Sequence, residues 1–235
     1  MRSRPLSAAE SKAATRAAAR VAAWGLVVYA GTRLVGAVLQ STSMAALVAQ
    51  AVLAEWGLGR LGVTWSDPVA PVPTTQAILR RAARGAGVGL AAAVALAIVL
   101  AVTGGALLER ATSSVSVLVV GLVSAGFLAM RDELLLHGLT LRALVSVESP
   151  TPRIAACALA SAAAALGEPG AGPRTVLVAL LLGAMYGALW IRDRGAWMAW
   201  GAHTAFLFVT GPLLHGGLFE TGVAASPWGG ADAGV

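Results

Sequence analysis

The chain has 235 residues, 57% of them hydrophobic and 12% charged, with 17 Lys and Arg against 11 Asp and Glu. A soluble domain carries about twice that share of charge, so the composition excludes an ordinary water-soluble fold and leaves an integral membrane protein of about six to eight spans. The net charge of +6 is scattered between apolar runs rather than gathered into a patch, which argues against nucleic acid as the partner, and the lone Cys157 excludes an internal disulfide and a cysteine-based metal site.

In chain order, residues 1–20 form an Ala-rich basic leader with Arg2, Arg4, Lys12, Arg16 and Arg20, expected on the cytoplasmic side. Val21 to Leu39 follows as an uncleaved first span, too long for the apolar core of a signal peptide, with Arg33 inside it. After the polar hinge at 40–43, Met44 to Leu58 is a second apolar stretch. Residues 59–85 make the longest polar connection. Pro68, Pro71 and Pro73 break it, and Gln76 to Arg84 is predicted as a short basic helix along the membrane surface. The third span is Ala86 to Leu107, and the fourth runs from Ser113 through Phe127 into a charged segment ending near Val145. Pro150 and Pro152 restart the chain into a short small-residue span, Ile154 to Leu166. Glu168 lies in a Pro-Gly turn. Thr175 to Ile191 is the sixth span, and Ala196 to Leu214 the seventh, within a C-terminal His segment at 196–214. The Gly-rich tail, 215–235, is expected to be flexible.

With the N-terminus in the cytoplasm, this layout puts fourteen of the 17 basic residues on the cytoplasmic side, against Arg110 and Arg174 outside. The expectation is therefore an all-α, polytopic membrane helix bundle over 21–214 with about seven transmembrane helices. The Ala/Arg-rich usage points to a bacterial cytoplasmic membrane.

Charge inside such a bundle marks function by default, because an ionisable group costs at least a few kcal/mol at the bilayer centre. The segment 129–146 concentrates it: Arg131, Asp132, Glu133, His137 and Arg142. If helical, it sets Glu133 and His137 at i and i+4 on one face. The second imidazole is His203, in the last span. Carboxylates can activate water for hydrolysis, and imidazoles can position it or stabilise an oxyanion. A divalent metal held by Glu133, His137 and His203 is an alternative use of the same groups. No HExxH pattern supports a zincin. Trp56, Trp190, Trp197 and Trp200 fall near expected interfaces and read as an aromatic belt; Gly183 and Gly187 read as a helix-packing pair.

The run Asp132-Glu-Leu-Leu-Leu-His-Gly138 and the pair Ala202-His203, with the Gly-containing span, short basic turn and aromatic stretch before it, resemble the CPBP family of intramembrane endopeptidases. That family includes the CAAX prenyl proteases and Abi-type proteins. The likeness covers roughly 117–208. The family's first acidic residue falls on Asp132, its Arg on His137, its middle Phe and His on Ala164 and Glu168, and its final Asn on Leu207. The resemblance implies an endopeptidase that cleaves a membrane-anchored protein or C-terminal tail without a cofactor, as in a myxosortase-like branch. Asp132 would be the base, Glu133 its orienting partner or itself the base, and His203 the oxyanion or water ligand; His137 and Glu168 would support them. A degenerate member acting as scaffold or immunity protein is the alternative, and a proton-relay transporter a third.

Overall fold

A computed structural model describes residues 8–39, 43–66, 71–102, 108–110, 114–168, 170–214 and 219–221. Helices dominate: α1 (Ala8–Leu39), α2 (Met44–Gly59), α3 (Thr75–Val102), α4 (Val115–Asp132), α5 (Leu139–Ala143), α6 (Pro150–Leu166), α7 (Pro173–Asp193) and α8 (Trp197–Phe208). A π-helical turn, Glu133–Gly138, joins α4 to α5 in one rod, and a second, Val209–Leu213, extends α8 around Pro212. The described residues thus form seven helical rods near the seven expected segments. Four are long and apolar enough to cross a membrane: 15–39, 75–100, 115–143 and 173–193; α2, α6 and α8 are shorter.

Two boundaries differ from the sequence expectation. The basic stretch 76–84 is no separate surface helix but the first turns of α3, since nothing between Arg84 and Gly89 interrupts the backbone ladder. α1 begins at Ala8, so much of the leader is continuous with the first span. The strand Leu108–Arg110 (β1) pairs antiparallel with Phe219–Thr221 (β2); the rest of the tail at 215–235, with His215, lies outside the described residues.

Local chemistry sets the helix ends. The Ser43 hydroxyl accepts the Ala46 N–H at 3.2 Å at the start of α2, and proline occupies the first turn of α6 and of α7. α7 ends with Arg194 in the left-handed region (φ 50°), Gly195 N–H returning to the Trp190 carbonyl and Arg194 N–H to that of Ile191.

Packing follows membrane logic, with small residues inside and large apolar ones outside. Ala46, Ala51 and Ala54 of α2, Ala158, Ala162 and Ala165 of α6 and Ala199 and Ala202 of α8 are buried, while Leu26, Val38, Ile98 and Leu177 face outward. Lipid tails are as apolar as leucine, so close backbone approach holds such helices together. Gly85 and Gly89 of α3 lie against the backbone of Met198 and Ala202, and Gly201 of α8 lies against that of Ala82. Gly183 and Gly187 of α7 likewise face Ser161 and Cys157 of α6, as the packing reading requires.

The loop after α2 docks on the turn between α7 and α8. Ala196 N–H donates to the Trp65 carbonyl at 3.0 Å, and Trp65 packs on Trp197 with ring centroids 4.7 Å apart. The indoles do not form one belt. Trp56 is exposed under the Arg60 guanidinium, but Trp197 donates to Ser66 Oγ at 3.1 Å, Trp200 to the Gly126 carbonyl at 2.9 Å, and Trp190 is buried. An indole N–H inside a bundle needs an acceptor, and these three find theirs in protein.

Candidate active site

The charged segment enters the bundle as a π-helical turn. Its wider i→i+5 spacing is visible where the Leu139 N–H bonds the Leu134 carbonyl. Glu133, Leu134, Leu135, His137 and Gly138 are all buried there. Gly138 is required at its position: a Cβ would fall 2.6 Å from Val63 and 3.2 Å from the Trp190 ring.

Glu133 is the hub. Its Oε1 accepts from His203 Nδ1 at 2.8 Å and its Oε2 from Trp190 Nε1 at 2.6 Å. His137 Nδ1 lies 3.1 Å from the same Oε2, but off the axis of a hydrogen bond, so that contact is electrostatic. His137 Nε2 is 3.1 Å from Ser161 Oγ of α6. Tyr186 of α7 stacks on His203 (centroids 4.4 Å, planes 18° apart) and meets His137 edge-on; its buried hydroxyl has no hydrogen-bond partner among the described residues. Three rods therefore meet at one carboxylate that has no exposed surface, and α6 joins them through His137.

A buried carboxylate on Nδ1–H fixes the imidazole tautomer and leaves Nε2 as the basic nitrogen. The described hydrogen bonds of His203 use Nδ1, and its side chain retains 8% exposure against none for Glu133. Chemically, such a pair can hold an imidazole in one orientation with Nε2 available to accept a proton. Among the described residues no group of three or more His, Cys, Asp and Glu has metal-holding geometry; Glu133, His137 and His203 meet through hydrogen-bonding and ionic contacts.

The structure brings together Glu133, His137 and His203. It places the other two sequence candidates elsewhere. Asp132 Oδ1 takes the Arg131 guanidinium at 2.7 Å, and Arg131 also donates to buried Gln50 of α2 at 2.7 Å. Glu168 pairs with Arg33 of α1 at 3.0 Å on a half-exposed surface. From α6 it is Ser161, rather than Glu168, that reaches the histidines. Ser161 and Tyr186 escaped the sequence reading, and Trp190 entered it only as part of an aromatic belt. The available signal was the i, i+4 spacing of two aromatics with polar heads inside an apolar span.

Residues 111–209 match the family model described as type II CAAX prenyl endopeptidase Rce1-like. The match runs from just before α4 through the Glu133 turn and past His203. Comparison with curated proteins and with solved structures gives no match.

Proposed function

We propose that this chain, whose residues 111–209 match the Rce1-like model of type II CAAX prenyl endopeptidases, is an intramembrane endopeptidase with a Glu133–His203 hydrolytic dyad. The observation that carries the proposal is the 2.8 Å bond between a fully buried carboxylate and an imidazole seventy positions away. Water held at His203 Nε2 attacks the scissile carbonyl and gives its proton to that nitrogen. The Glu133 carboxylate stabilises the imidazolium, which then protonates the leaving amine. Trp190 and His137 hold the carboxylate in place. In this assignment the acid that matters is Glu133. Asp132, held by Arg131, supports the fold around it.

The substrate is a membrane-anchored protein or peptide cut near its C-terminal tail, and the chain sits in a bacterial cytoplasmic membrane as seven spans with the N-terminus inside. Two clusters support the alternating path. The loop after α2, the end of α5, the start of α6 and the α7–α8 turn line one cavity. Arg33 of α1 meets Glu168 beyond α6, joining two segments expected at the opposite end.

The test is to map new protein C-termini in membranes of cells expressing the wild-type chain, Glu133→Gln, His203→Ala or Asp132→Asn. Glu133→Gln and His203→Ala are expected to lose cleavage by about 100-fold or more, while Asp132→Asn keeps most of it. Cleavage at the wild-type rate by either dyad variant refutes the dyad. A scaffold is the second reading, favoured by the engagement of both Glu133 oxygens. It predicts no processing by any form, with partner capture unchanged in Glu133→Gln.

A further inference from the structure

The bundle end formed by the loop after α2, the end of α5, the start of α6 and the α7–α8 turn encloses an open cavity of about 390 Å³. Three guanidinium groups line it, Arg142, Arg153 and Arg194, and no carboxylate does. Among the described residues none of the three is in an ion pair. Like charges gathered in one concavity repel one another and raise the local potential toward an anion.

One of the three cations is held in place, although Arg142 and Arg194 are exposed and Arg153 is half-buried. Arg142 Nε donates to the Leu61 carbonyl at 2.8 Å, and its guanidinium packs over Gly62, whose φ of +76° suits glycine and where a Cβ would fall 3.4 Å from an Arg142 nitrogen. Arg194 closes α7 in the left-handed turn, with its side chain exposed at the rim of the cavity. Arg153 carries a buried Nε–H with no hydrogen-bond partner among the described residues.

We propose that this cavity binds a phosphate oxyanion, carried by a lipid headgroup or free in solution. Guanidinium forks match phosphate oxygens in pairs, and three from separate elements surround a tetrahedral anion better than a planar one. The residues involved stand at helix ends, which in the seven-span reading proposed above meet the headgroup layer. Trp190 lines the cavity and also donates to Glu133, so the site adjoins the buried carboxylate without sharing its charged groups. The proposal stands whether or not the dyad is hydrolytic.

The experiment uses the full chain in detergent, stripped of lipid. Inorganic phosphate is titrated at constant ionic strength with thermal unfolding as the readout, and phosphatidylglycerol or a phosphate-free glycolipid is added before native mass spectrometry. Phosphate-dependent stabilisation alone identifies the free anion, and a retained phosphatidylglycerol adduct that phosphate displaces identifies the headgroup; either supports the site. Arg142→Gln, Arg153→Gln and Arg194→Gln are each expected to weaken binding about 5- to 10-fold. Arg192→Gln, exposed and outside the cavity lining, is expected to change it less than about twofold. Gel filtration of every variant reports folding. The proposal is overturned if neither phosphate nor phosphatidylglycerol binds, if Arg192→Gln weakens binding as much as the other three, or if the glycolipid is retained equally well.

Discussion

Gly89 carries the sharpest expectation, because it controls the site without belonging to it. It faces Ala202, the residue before His203. A Cβ at Gly89 would lie 2.7 Å from the carbonyl carbon and 2.9 Å from the Cα of Ala202, where ordinary contact begins at 3.4 Å. Both are backbone atoms, so no rotamer change relieves the clash. Gly89→Ala must part α3 from α8 by about 0.7 Å or more at this level. His203 rides on α8, and displacing a reacting group by about 1 Å costs on the order of 100-fold. Cleavage is therefore expected to fall about 10- to 100-fold, with every site side chain intact. Gly87, two residues away on the same helix, has nothing within 4 Å of its Cβ position. Gly87→Ala should leave cleavage within about twofold and gain roughly 0.5–1 kcal/mol of helix stability. The assay is appearance of the substrate's new C-terminus, with thermal unfolding and gel filtration run in parallel. Equal cleavage by two well-folded variants would refute the claim that the α3–α8 contact positions the dyad.

Trp190→Phe keeps the ring and removes the 2.6 Å donor to Glu133, an interaction worth about 1.5–3 kcal/mol when one partner is charged; a 10- to 100-fold loss of cleavage at unchanged substrate affinity is expected from turnover kinetics. Ser161→Ala strips His137 Nε2 of its partner and should cost about 1 kcal/mol in unfolding midpoint, with a smaller effect on turnover, because His203 is untouched. Glu168→Gln breaks the half-exposed pair with Arg33, worth about 0–1 kcal/mol, and removes a charge that acts on Arg131 rather than on Glu133, so cleavage should stay within about twofold of wild type; a 100-fold loss in the same assay would return Glu168 to the site.

Much of the architecture was legible before any tertiary information. Apolar runs bounded by Ser43, Pro150, Pro152, Pro173 and Gly195 placed five of the seven helical rods within a few residues, because those residues end or begin helices through their own backbone chemistry; α1 and α3, which lack such a signal at the expected start, begin earlier, at Ala8 and Thr75. The i, i+4 relation of Glu133 and His137 was legible too, since both lie on one helical turn and intrahelical geometry depends only on spacing. The separate basic helix at 76–84 was misread because charge density there masked an uninterrupted backbone.

Tertiary structure alone decided which acid is the hub and what surrounds it. Asp132 and Glu133 are adjacent and chemically alike, and nothing local tells which will face His203 and which will face Arg131. That choice depends on the rotation of α4, on the widened turn at Glu133–Gly138, and on how far the Gly85, Gly89 and Gly201 contacts draw α8 toward α3. The same rotation made Trp190 a ligand of the carboxylate instead of an interfacial anchor. Sequence determines a helix and its faces through neighbours three and four residues away, whereas the partner of each face is set by depth and rotation between helices, which only the packed bundle fixes.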